Sequence, residues 1–316
     1  FLQQLRVLAT DSAARGFWDD ACDLPRLGAG EGWVVSTDMV VEGRHVPNGT
    51  SVSAAIPLLV RRNLSDLAAS GARPRGLMLA LALPRGFEED LPSILVALRA
   101  ELAEFDLALL GGDTTRNQGG FVMTATIFGV IDHARALGER SLLARANLRM
   151  GDRLYVGGLL GRAHSSDCLH YWRPEPQIVL GLALAAGVPH AAVLDVSDGV
   201  VADVGKLVAA AGLKAAVVEI HAESAAFAVL PNGQNPEETS RVASGAPADL
   251  AEPWRSGLYA GGDYVLLVGL PADVTPDPRL IPLGYVRPAA RAESAGIVLR
   301  FADHARWLEG GYDSIN

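Results

Sequence analysis

In the first half of the chain, short apolar and β-branched runs alternate with stretches of helical spacing. Several of the junctions carry an aspartate beside glycine, serine or threonine. That alternation constrains the fold more than any other feature, because strands that alternate with helices build layered sheets with helices against them. Residues 33–41 (WVVSTDMVV) read as a strand with a polar centre, and 54–71, containing NLSDLAASG, as a helix capped by Gly71. The apolar run 76–83 (GLMLALAL) lies between Pro74 and Pro84 and predicts a buried strand. A helix over 88–105 follows, then a strand over 107–110 that ends in GGDTT, then a strand over 121–130. Residues 131–150, rich in Arg and Ala and without period, mark a domain boundary. Beyond it the sequence predicts strands at 153–156, 192–196, 266–270 and 297–301. Helices are expected near 178–186 and 200–211, and a Pro/Gly/Asn/Glu-rich loop over 231–248. The class is α/β or α+β in two domains.

Composition narrows the function. The chain has 316 residues, 49% of them hydrophobic and 20% charged, and a formal net charge of -9. It is globular in composition and lacks the basic balance of a sequence-independent nucleic-acid binder. Cys22 and Cys168 form no zinc-ligand spacing, and no disulfide framework is expected. Charges in the first twenty residues break any secretory apolar stretch, and the uncharged run 177–194 is interrupted by Gly, Pro and His. A cytoplasmic enzyme that binds neither nucleic acid nor membrane is the expectation.

The chemistry is concentrated in the acidic residues Asp19, Asp20, Asp38, Asp66, Asp113, Asp195 and Asp198. Each is expected to follow a strand or start a helix. Carboxylates at strand ends of open sheets point into ligand crevices, and Asp with Ser or Thr oxygens suits Mg²⁺. Taken singly, each is equally a cap or turn residue. If they converge, their mutual repulsion calls for a cation. GLLGRAH is no phosphate loop, since no GK[ST] follows, and GAGEG lacks the context of a dinucleotide fingerprint.

The stretches STDMVVEGRH, NLSDLAASGARP, GGDTTR, MGDRLYVGG, RPEP, LDVSDGVVADVG and GGDYVLL occur in the order, and at roughly the spacing, found in thiamine-monophosphate kinases. The chain resembles that family over most of its length. The wider superfamily includes aminoimidazole ribonucleotide synthetase, selenophosphate synthetase and a hydrogenase maturation factor. The resemblance implies an aminoimidazole ribonucleotide synthetase-like N-terminal α/β domain over residues 1–135 that forms a β-barrel within a homodimer. It implies a C-terminal α+β domain over 149–316. The implied reaction is phosphorylation of thiamine monophosphate by ATP, assisted by several Mg²⁺ ions.

By matching motif, Asp20, Ser36, Thr37, Asp38, Asp66, Asp113, Asp195 and Asp198 would bind the metal, with Asp38, Asp66 and Asp113 catalytic. Gly112, Asp113, Arg145 and Ser197 would hold ATP, and His45 and Tyr312 the thiamine phosphate. Gly262 and Val265 stand where the family carries glutamates, the first of which helps bind substrate. Arg61 and Arg62 precede NLSD and bring unusual positive charge towards the metal region. A same-fold ATP enzyme with another phosphate or carboxylate acceptor stays open, as does a non-catalytic nucleotide- or thiamine-phosphate-binding homologue.

Overall fold

A computed structural model describes residues 10, 31–132, 143–164, 169–227, 252–291, 293–302 and 304–308. The chain divides into two compact units, Phe1–Leu67 with Ala72–Arg140, and Ala68–Gly71 with Ser141–Asn316. Asp20, Tyr312 and the loop 231–248 lie outside the described residues.

The first unit is a four-stranded mixed sheet with helices. Its elements are β1 (Glu31–Val41), α1 (Val52–Ala69), β2 (Arg73–Leu83), α2 (Leu91–Glu104), β3 (Ala108–Arg116) and β4 (Val122–Asp132). Helix α1 ends as predicted at Gly71: the Gly71 N–H donates to the Ala68 carbonyl and the Ala72 N–H to that of Leu67. These two bonds satisfy carbonyls that the last turn leaves without partners. The strand order is β1-β4-β2-β3, antiparallel except for β2 against β3. That parallel pair needs a crossover, which α2 supplies. Among the described residues the sheet is open.

Alternation along β1 separates two environments. Val40 is fully buried, whereas Val35 and Met39 are 54% and 46% exposed, so one face meets the unit's core and the other does not. Strand β3 departs from expectation. It does not end before GGDTT but runs through it to Arg116. A bulge makes this continuation work: Leu77 opposes Leu109 while Met78 opposes Gly111, leaving Leu110 as the extra residue. The β2–β3 ladder also demands glycine at 112, where a Cβ would strike the Leu79 carbonyl oxygen.

The second unit contains β5 (Arg153–Val156), the short helix α3 (Leu169–Trp172), α4 (Ile178–Gly187), β6 (Ala192–Asp195), α5 (Val200–Ala210), β7 (Ala216–His221), α6 (Glu252–Tyr259), β8 (Leu266–Leu270), β9 (Ile281–Pro288), β10 (Gly296–Arg300) and β11 (Ala305–Leu308). Among the described residues its seven strands run in the order β11-β10-β7-β9-β5-β8-β6, with only β10 and β7 parallel. Val200, Val204 and Leu207 of α5 enter a core with Leu194 of β6, Val218 of β7 and Leu267 of β8. Together the two units are an α/β and an α+β assembly. No described helix is long and apolar enough to cross a membrane.

Candidate functional site

In the first unit the polar centre of β1 meets one face of α1. Four helical residues rise about 6 Å and two strand residues about 6.6 Å, so i,i+4 on a helix can register against i,i+2 on a strand. Arg62 and Asp66 use this match. The Ser36 hydroxyl donates to Asp66 Oδ2 at 2.6 Å. Arg62 grips Asp38 with two donors, Nε to Oδ2 at 2.9 Å and Nη2 to Oδ1 at 3.2 Å. The pair is largely shielded, with the side chains 14% and 26% exposed. Asp38 Oδ1 also accepts the Met39 N–H at 2.7 Å. Contrary to expectation, Asp38 lies inside a strand and Asp66 inside a helix, neither at an element end.

His45 belongs to the same region. Its Nδ1 accepts the Val41 N–H at 3.0 Å, which places the proton of the neutral ring on Nε2. Burial and then the nearby Arg62 charge push its pKa down to about 4, so the ring is neutral at physiological pH. Arg61, adjacent in sequence, points elsewhere. It pairs with Glu101 at 2.7 Å and lies over the Phe105 ring, so only one of the two arginines serves this cluster.

Thr37 and Asp113 fall on the other face of the sheet. Thr37 donates to the Ala125 carbonyl at 3.0 Å. Asp113 opposes the exposed Ala80, in the row of Thr124 and Met39, and its Oδ1 accepts the Thr114 N–H at 2.8 Å. The bulge at Leu110 sets that face. Were Leu110 paired in register instead of bulged, alternation would return Asp113 to the side of Asp38. The structure therefore brings together Ser36, Asp38, Asp66 and His45, and does not place Asp113 on their face.

In the second unit Asp195 ends β6, nearly buried, and the loop Val196–Gly199 leads into α5. Asp203, on the first turns of α5, folds back so that one oxygen accepts the N–H groups of Ser197 and Asp198, both at 3.0 Å. Lys206, one turn on, bridges Asp203 at 2.6 Å and Asp198. Burial pushes the Asp203 pKa up to about 7, against the pull of Lys206. Burial pulls Lys206 down, but Asp203 and Asp198 carry it above its ordinary value. The turn holding the exposed Arg145 packs against β6 and α5, which flank this loop.

The late GGDY stretch forms a wall beside it. The Gly262 N–H donates to the Ser197 carbonyl at 3.0 Å. Asp263, wholly buried, accepts the N–H groups of Gly161 at 2.6 Å and Ala163 at 3.0 Å, and burial raises its pKa to about 6. Gly262 has φ +93°, and a Cβ there would lie 3.1 Å from the Tyr171 ring. Asp203 and Asp263 lie inside the motifs LDVSDGVVADVG and GGDYVLL, and Lys206 directly follows the first. Their roles went unread because each acts through partners that only folding supplies.

Among the described residues no group of three or more His, Cys, Asp or Glu side chains is placed to hold a metal. The donor chemistry divides the set. Asp66 with Ser36, Asp113 and Asp195 offer hard oxygens suited to Mg²⁺. Asp38 and Asp198 already face cations of the chain itself.

Residues 18–131 match the family described as AIR synthase related protein, N-terminal domain. The thiamine-monophosphate kinase of Haemophilus influenzae is 32% identical over 221 residues, 65% of this chain and 64% of that one. The first curated relatives are thus matched over less than two thirds of their length. Among solved structures, the thiamine-monophosphate kinase from Stenotrophomonas maltophilia is 27% identical with a TM-score of 0.67, covering 93% of each chain. AaThiL complexed with AMPPCP and TMP shares the fold, at 20% identity and a TM-score of 0.65, over 86% of this chain and 85% of that one. The chain resembles thiamine-monophosphate kinases and carries the N-terminal fold of the AIR synthase group.

Proposed function

We propose, from its similarity to thiamine-monophosphate kinases, that this chain transfers the terminal phosphoryl group of ATP to thiamine monophosphate, giving thiamine diphosphate and ADP. The observation that carries the reading is the cluster in which β1 and α1 gather Ser36, Asp38, Asp66 and His45, residues that the family resemblance assigns to one site. A phosphate monoester has its second pKa at about 6, so the attacking oxygen is ionised near neutrality and needs no general base. The obstacle is repulsion between two anions, and positioning with charge compensation removes it.

In this reading the neutral His45 donates from Nε2 to the thiamine phosphate. Gly112, Arg145 and Ser197 would contact the nucleotide, as the resemblance implies. Asp66 with Ser36 would hold Mg²⁺; Asp113 on the opposite face of the sheet, Asp195 in the second unit, and Asp20, Thr37 and Asp198 complete the set that the resemblance implies. The metal, when bound, neutralises phosphate charge and aligns the reacting oxygens. Tyr312 would pack on the thiamine rings. The cytoplasm, where ATP is abundant, is the compartment that suits the reaction.

A homodimer goes with this reading. The β1 face with Val35 and Met39 exposed, and with Trp33 edge-on to Phe128 beside them, suits a second copy whose sheet would complete a barrel. Val35→Asp is expected to yield monomers in sedimentation velocity where the parent chain sediments as a dimer.

Gly262 favours a second reading, a different phosphate or carboxylate acceptor, because the Tyr171 ring stands where a glutamate side chain would begin. An ADP-release assay with ATP, Mg²⁺ and thiamine phosphate, its product identified by mass spectrometry, separates the two. Thiamine diphosphate supports the kinase. ATP binding without ADP release from thiamine phosphate moves the reading to another acceptor.

A further inference from the structure

Asp38 differs from the other carboxylates that the resemblance assigns to divalent ions. Both of its oxygens are engaged by one cation of the chain, Oδ2 by Arg62 Nε and Oδ1 by Arg62 Nη2. The grip is planar and two-pronged, the geometry in which a guanidinium binds a carboxylate most specifically. It is also braced: one turn along α1, Asp66 holds Ser36 two residues back on β1, which keeps helix and strand in this register. A divalent ion seated on Asp38 would have to displace the fork or lie beside a fixed positive charge in a largely shielded place. Arg61 cannot substitute, since its charge is committed to Glu101 inside the unit.

We propose that Arg62 is a built-in counter-cation at Asp38, so that this chain seats no divalent ion on that carboxylate and meets the charge there with a guanidinium. The proposal rests on the kinase reading for its functional meaning, and Arg62 acts in it as a positioning and charge-compensating residue. Asp38 then serves to hold Arg62 rather than to ligate metal.

The test is Mn²⁺ binding to the purified full chain, followed by electron paramagnetic resonance without nucleotide or thiamine phosphate. The parent chain and Asp38→Asn are expected to bind the same number of ions, with affinity weakened at most by the Arg62 charge that Asp38→Asn leaves uncompensated. Arg62→Gln frees the carboxylate and is expected to add a bound ion or tighten binding by about tenfold or more, as loss of a nearby like charge should. Asp38→Asn in the Arg62→Gln background is expected to abolish that gain. Loss of an ion from Asp38→Asn alone overturns the proposal, and so does an Arg62→Gln titration identical to the parent. If Arg62→Gln does not fold, Asp38→Asn decides on its own. The titration involves no turnover, so a failed ADP-release assay would remove the kinase reading and leave this result to stand or fall separately.

Discussion

The two units meet the same electrostatic problem in different ways. In the first, Asp38 finds its cation 24 residues away, across the contact between a strand and a helix, and the grip is a bidentate fork. In the second, Asp198 and Asp203 share Lys206 within a single loop and the helix it enters, and the ammonium bridges both as a point charge. The first arrangement depends on tertiary register, because sliding α1 by one residue would break the Arg62 and Asp66 contacts together. The second depends on local chain geometry and on complete burial of Asp203. Fork geometry suits a contact that must fix two elements relative to each other. A point charge suits a loop in which two carboxylates must be held apart from their own repulsion.

The largest expected effect breaks the comparison at the chemistry. Asp66→Asn keeps the shape of the ladder but removes a charge, and turnover is expected to fall by about 10³-fold or more if the first unit's cluster faces the phosphates. ADP release measures this, and a loss under tenfold would remove Asp66 from the reacting site.

Stability is expected to sharpen the contrast next. Asp203→Ala leaves Lys206 without its buried partner and two backbone N–H groups without an acceptor, and should cost about 3 kcal/mol in urea denaturation. Arg62→Lys loses only the fork and keeps the charge, and should cost about 1 kcal/mol or less. Equal losses would mean that burial does not separate the two clusters.

The effects of pH have opposite signs within the second unit. Glu219 is held by Arg300, Tyr285 and Arg287, which bring its pKa down to about 2 from an ordinary value of 4.5. Its contribution is complete above 4.5 and is lost as pH falls from there towards 2. Asp263, raised by burial to about 6 from 3.8, binds a proton more readily in the native state. It therefore adds stability as pH falls through 6 and withholds it at neutral pH. Thermal melts of Glu219→Gln should lose the acid-side decline, and those of Asp263→Asn the gain as pH falls from about 6 towards 4. Unchanged profiles would assign the pH dependence to other groups.

Much of the scaffold was legible before the fold was known. The run GLMLALAL is a strand because its apolar side chains demand burial, and Arg73–Leu83 forms one. The predicted helix over 200–211 is Val200–Ala210, and Gly71 caps α1. Strands β7 and β9 were not foreseen, although AVVEIH is rich in β-branched residues. Of the candidate site, the motif residues could be named, but not which of them share a face.

Local sequence by itself determined where the elements run and which residue types they offer, because apolar periodicity, turn glycines and caps act over a few residues. Tertiary structure alone decided two things that matter for chemistry. Neighbouring arginines on one helix diverge by about 100° at 3.6 residues per turn, so that Arg61 enters the unit and Arg62 reaches Asp38. One extra residue, Leu110, turns Asp113 to the opposite face of the sheet, because the side-chain period of a strand is two and a bulge shifts it by one.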